Sequence, residues 1–166
     1  MAFDILTVPD ERLKQPSGSV QEFNAELRQF VQALEQTMRN GPGGVGIAAS
    51  QVGRFQRIAI VDVSSKPKIK HNGCMVLINP QITHWEGMAK GREGCMSVPD
   101  FTGDVIRAEC ISIEAYDVNG MLQQYHCEGY EARAVQHEVD HMDGILFLDR
   151  LVSRRTDLFP RKVYKK

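Results

Sequence analysis

The sequence predicts an α+β fold, with mostly antiparallel strands packed around a central metal-binding helix. Three observations carry this. Asn119-Gly120, a strong short hairpin signal, joins two strand-like runs. The strand-like runs and hairpins come before the last helix, without the strand–helix alternation of a parallel sheet. That last helix holds HEVDH, with His137 and His141 four positions apart.

The elements follow in order. Residues 1–23 read as irregular, punctuated by Pro9 and Pro16. In residues 24–40, Leu27, Phe30, Val31, Leu34 and Met38 fall on one helical face. Asn24 is the expected N-cap and Asn40-Gly41 the expected stop. Residues 41–53 read as a glycine-rich loop. RIAIVDV (57–63) is β-branched and reads as a strand covered on both faces. Residues 64–73 form a polar, basic connector. MVLINPQITHW (75–85) reads as a strand broken at Pro80. Residues 90–104 read as a turn-rich loop. Residues 105–117 and 121–129 are the two arms of the hairpin. The helix runs from about Glu131 to Asp143 and is closed by Gly144.

At 166 residues the chain is long enough for one domain with a real core. No repeat or linker divides it, so 1–166 reads as a single domain with a short basic tail from about 151. The 42% hydrophobic and 25% charged content argues against disorder. A formal net charge of −1 gives no general attraction to nucleic acid, so no DNA partner is expected. The N-terminus lacks a secretory pattern, and no apolar run is long enough for a membrane span. Cys74, Cys95, Cys110 and Cys127 are too dispersed for a disulfide framework. A reducing compartment follows, the cytoplasm by expectation, with an organelle origin left open. Cys74 and Cys110 read as buried thiols, and His71, His84 and His126 as surface or strand residues without ligand partners.

At about 100° per residue, His137, Glu138 and His141 share one roughly 100° sector of the helix. Two imidazoles one turn apart can reach a single ion, and the carboxylate can reach a water on it. An exposed histidine pair on an ordinary helix is the plainer alternative. The residues after His141, MDGILFLDR, hold no further histidine and no glutamate. A third ligand therefore comes from elsewhere. Cys127 reads first as a small core residue. Cys95 sits in REGCMSVP, among small residues that let the backbone approach closely. One thiolate with two imidazoles leaves a coordination position open, as catalytic sites do. Asp140 lies on the opposite side of His137 from Glu138 and is expected to support neighbouring groups.

Three short motifs stand in a fixed order: GVGIAASQ at 44–51, EGCMS at 93–97 and HEVDH at 137–141. With the segments between them, they make the chain resemble the peptide deformylases over most of residues 1–150. The resemblance implies a metal held by Cys95, His137 and His141. It implies removal of the N-formyl group from the initiating methionine of new polypeptides, releasing formate. It implies Fe(2+) as the physiological ion, with Zn(2+), Ni(2+) or Co(2+) able to occupy the site. Departures are small: Met96 stands where leucine is common, Ile47 and Ser50 replace leucine and threonine, and VIRAE replaces VPRAE around Arg107.

In that chemistry Glu138 would accept a proton from water and deliver it to the departing amine. The family suggests the Gln51 side-chain amide and the Met96 backbone N–H as oxyanion donors. The glycine loop lacks the lysine of a P-loop and reads better as backbone lying along an extended peptide. Gly46 would lie close to that peptide and Ile47 would help wall it. Arg107 has two readings, an anchor for the substrate backbone or a solvent-facing side chain. Val135 also has two, part of an apolar methionine pocket or simple core. The basic tail is either a solvated terminus or a contact with ribosomal RNA. Two other functions fit HExxH alone: a metallopeptidase cutting internal peptide bonds, and a metal-holding module without chemistry.

Overall fold

A computed structural model describes residues 2–41, 43–153 and 155–161. Helix α1, Ala25–Asn40, begins where the Asn24 side chain accepts the Leu27 N–H at 3.0 Å. It buries Leu27, Val31, Leu34 and Met38, with Phe30 half-buried, as the periodicity predicts. Strands β1 (Gly46–Ala48), β2 (Ile58–Val61), β3 (Met75–Glu86), β4 (Ala89–Cys95) and β5 (Val98–Arg107) follow. Then come β6 (Cys110–Tyr116), β7 (Leu122–Glu128), helix α2 (Gly129–Met142) and β8 (Leu158–Pro160). All pairings between these strands are antiparallel, in a five-stranded sheet ordered β1-β2-β3-β6-β7 and a three-stranded sheet ordered β4-β5-β8.

Side chains alternate across a strand, so the larger sheet feeds two cores. Val61, Leu77, Ile111 and Ile113 pack with Ala132 and Val135 of α2. Ile47, Ile58, Ile60 and Ile78 pack with Leu27, Val31, Leu34 and Met38 of α1. All four residues of β2 are buried, in keeping with a strand covered on both faces. Each fully buried aliphatic side chain contributes about 1.5–3 kcal/mol relative to exposure, so α2 is anchored from below by apolar packing while its other side carries polar groups.

Several sequence expectations need correction. Residues 90–104 are not a loop but most of the β4–β5 hairpin, turning at Met96-Ser97. The buried positions of β4 are Glu93 and Cys95, so the strand lacks the apolar alternation that marks strands in sequence. Pro80 does not break β3. The chain absorbs it as a bulge between Ile78 and Gln81, beside Asn79 at φ 50°, whose side chain brackets Val20. The glycine loop contains β1 and a 3-10 turn at Ala49–Val52, and a second such turn lies at Glu11–Lys14. Helix α2 begins at Gly129, earlier than expected. Cys74 is exposed and Cys110 half-buried, so neither is a buried thiol.

The tail is not frayed throughout. Strand β8 pairs with β5, and Arg161 donates to the Cys95 and Val98 carbonyls at 3.1 and 3.2 Å. Arg155 is exposed, and Arg154, Lys162, Lys165 and Lys166 lie outside the described residues.

Candidate active site

Two elements meet at the site. The β4–β5 hairpin presents Cys95 at its turn, and the inward side of α2 presents His137, Glu138 and His141. One ligand-type atom from each of Cys95, His137 and His141 lies within 4.8 Å of the others, and all three residues are buried. Cys95 Sγ is 3.3 Å from His141 Nε2. The rings of His137 and His141 are 5.0 Å apart, and Phe147 stacks on His137.

Glu93 is the hub beneath these groups. Its Oε1 accepts from Arg107 Nη2 and His137 Nδ1, both at 2.9 Å. Its Oε2 accepts from Arg107 Nε and Arg133 Nη1, both at 2.8 Å. Burial works against the Glu93 charge, but Arg107 and His137 hold the carboxyl well below its usual range. An ionised carboxylate only accepts, so His137 Nδ1 carries a proton, and Nε2 is the ring nitrogen left to face an ion. Asp140 supports the same frame from α2, accepting from Arg107 and from Arg150 at 2.9 and 3.0 Å.

The electrostatics suit a cation. Burial pushes the Cys95 thiol up, yet His141 and His137 outweigh it and leave the thiol well below its ordinary value. Burial pushes the Glu138 carboxyl up to about 7, opposed by the two histidines. Glu138 Oε1 and His141 Nδ1 are buried without a partner among the described residues. One soft sulfur, two imidazoles and an unpartnered carboxylate oxygen beside them fit a divalent transition metal.

Above the site runs a cleft of about 620 Å³, lined by Gly44, Val45, Gly46, Met96, Ala134 and Glu138 among others. A methyl group on Gly46 would stand 2.5 Å from Glu138 Oε2, so only glycine lets the strand lie this close to the carboxylate.

Comparison with known proteins decides the family. The sequence model of Polypeptide deformylase matches residues 2–157. The chain belongs to the peptide deformylase family. It is 39% identical to the peptide deformylase of Thermodesulfovibrio yellowstonii over 96% of this chain and 94% of that one. It is also 39% identical to that of Acidobacterium capsulatum, covering 97% and 93%. The peptide deformylase structure from Legionella pneumophila superposes with a TM-score of 0.84 at 36% identity, covering 91% and 86%. That from Synechococcus elongatus, in complex with actinonin, gives 0.84 at 36%, covering 92% and 80%.

Within this deformylase fold the expected residues divide. Cys95, His137, His141, Glu138, Gln51, Met96 and Gly46 are brought together. The Gln51 amide donates to Cys95 Sγ at 3.5 Å and Ser97 Oγ at 3.0 Å, while its oxygen accepts the Ala48 N–H at 2.9 Å. Ile47, Val135 and Arg107 are not in the cleft. Ile47 points to the α1 core, the opposite side of β1 from Gly46, and Val45 lines the cleft instead. Val135 is fully buried in the core, and its neighbour Ala134 reaches the cleft. Arg107 is neither solvent-facing nor free to anchor a substrate: it is 6% exposed and its donors serve Glu93 and Asp140. Sequence reasoning assigned no role to Glu93, Arg133 or Ser97. A metal-binding histidine needs a carboxylate or carbonyl behind its other nitrogen, and that rule was the available signal for Glu93.

Gly46→Ala is expected to fold normally and to lose about 10²-fold in kcat/KM, because the added methyl displaces Glu138. Steady-state kinetics with a formylated peptide checks this; parent-like activity would show that the close approach is not needed.

Proposed function

We propose that the protein removes the N-formyl group of the initiating methionine at a metal ion held by Cys95, His137 and His141, with Glu138 moving the proton. Family membership makes the chain a metal-dependent deformylase of nascent polypeptides, and the internal-bond peptidase and the silent module find no support among its relatives. The observation that carries the site assignment is the convergence of one sulfur and two imidazoles, from residues far apart in the chain, beside a buried carboxylate.

A metal bound there supplies a Lewis acid that activates water and polarises the formyl carbonyl. Glu138 accepts the water proton and passes it to the amine nitrogen as the C–N bond breaks, giving formate and a free N-terminus. The Met96 N–H, in a two-residue turn outside the strand ladder, and the Gln51 amide are the proposed oxyanion donors. Removing one such donor raises the barrier by about 3–4 kcal/mol. In its present bonds Gln51 also holds the thiolate. β1 is an edge strand, so the free side of Gly44–Gly46 can pair with an extended peptide backbone whatever its sequence. Tolerance of that kind suits an enzyme acting on many nascent chains. Ferrous iron is the proposed ion, with zinc, nickel or cobalt as substitutes, all compatible with one thiolate and two imidazoles.

The test is formate release from formyl-Met-Ala-Ser by iron-loaded protein prepared without oxygen. Release is expected; a fully loaded protein that releases no formate would overturn the reading. The cytoplasm, where nascent chains carry the formyl group, is the proposed location. No helix among the described residues is long and apolar enough to cross a membrane. Ribosome contact through the basic tail remains a separate proposal. Truncation after Arg161 spares β8 and should weaken ribosome association without changing peptide turnover; unchanged association at low salt would remove it.

A further inference from the structure

The outward face of the β6–β7 hairpin carries a second group of metal-type ligands. Cys110 and Glu128 are direct cross-strand partners, and His126 lies two residues before Glu128 on the same face. The Cys110 sulfur, a His126 ring nitrogen and a Glu128 carboxylate oxygen all lie within 4.8 Å of one another. We propose that Cys110, His126 and Glu128 form a second site, for a zinc-class divalent transition ion, on the outer face of the five-stranded sheet.

Ligand atoms on one tetrahedral zinc stand about 3.3–3.6 Å apart. Rotation of the exposed His126 ring and of the half-buried Glu128 side chain over a fixed backbone would close the remaining gap. That backbone is held by the β6–β7 ladder, and the Asn72 side chain donates to the His126 carbonyl at 3.0 Å. Among the described residues, neither the Cys110 thiol nor the His126 ring is committed to a hydrogen bond. Glu128 precedes α2 but makes no side-chain cap, and its ion pair with the exposed Lys70 is long, 3.7 Å. Thiolate, imidazole and carboxylate together select zinc or cobalt over calcium or magnesium. On the other side of Cys110, its partner in β3 is Glu86, a second carboxylate on the same face. None of the three ligands lines the catalytic cleft. Such an ion would tie β6 to β7 at the residue that leads into the histidine-bearing helix.

The test uses metal-free full-length protein titrated with Co(2+) without oxygen. About two equivalents should bind per chain, each adding thiolate-to-cobalt charge-transfer absorption, and the second should be lost in Cys110→Ser and in His126→Ala. Both variants should keep the first equivalent and release formate at the parent rate. Cys95→Ser should keep the Cys110 equivalent, and Zn(2+) should protect Cys110 but not the exposed Cys74 from alkylation. A single equivalent in the parent, a second without thiolate absorption, or a second that survives both substitutions would overturn the proposal.

Discussion

Glu138→Gln is expected to lower kcat for a formylated peptide by about 10²–10⁴-fold, the usual worth of a positioned acid–base group. Metal content should not change. The proposed ligand atoms belong to Cys95, His137 and His141, and His137 is oriented by Glu93 rather than by Glu138. The amide keeps the side chain's volume against Gly46, so the cleft keeps its shape. Loss of turnover with full metal occupancy, read by metal analysis beside the formate assay, separates proton transfer from metal binding. A glutamine variant that turns over like the parent would show that another group moves the proton. In protein stripped of metal, the same variant should gain stability relative to the parent. Burial raises the Glu138 carboxyl from 4.5 to about 7, so the folded state binds the proton more tightly. Glu138 therefore costs stability increasingly as pH rises from about 4.5 to about 7, and glutamine removes that cost. Thermal melts across this range check the sign.

The second large effect is expected at Glu93, away from the reacting atoms. Its two oxygens receive Arg107 twice, Arg133 once and His137 once. Glu93→Ala strips Arg107 of its bidentate partner inside the protein, a loss of about 3–5 kcal/mol for a broken buried ion pair. It also frees His137 to rotate, which typically weakens metal affinity by about 10–100-fold. Urea unfolding and metal competition measure the two effects separately. Glu93→Gln should recover part of both, because its carbonyl still accepts. An alanine variant with the parent's midpoint and metal affinity would show that Glu93 does not hold this frame.

Much of the site was legible because its chemistry sits on local patterns. HEVDH is a helix repeat, and the angular spacing that puts His137, Glu138 and His141 on one side depends only on helix geometry. Asn24 and Asn119-Gly120 were equally local signals, and both act as expected. The β4–β5 hairpin was not legible. Its inward residues are a glutamate and a cysteine, held by ion pairs and ligand-type contacts rather than by apolar burial. Arg107 was misassigned for the same reason, since nothing local says that an arginine's partners lie across a sheet and on a helix.

The residues alone determined the helix that offers two imidazoles and a carboxylate, the hairpin at Asn119-Gly120, and an α+β build. Those outcomes depend on backbone periods of 3.6 and 2 and on turn chemistry, which act over a few neighbours. Which cysteine meets the imidazoles, what fixes their tautomer, and which side of β1 faces the cleft were decided only when distant segments packed. Sulfur, guanidinium and carboxylate groups far apart in the chain find one another through the shape of the sheets, and no local period encodes that.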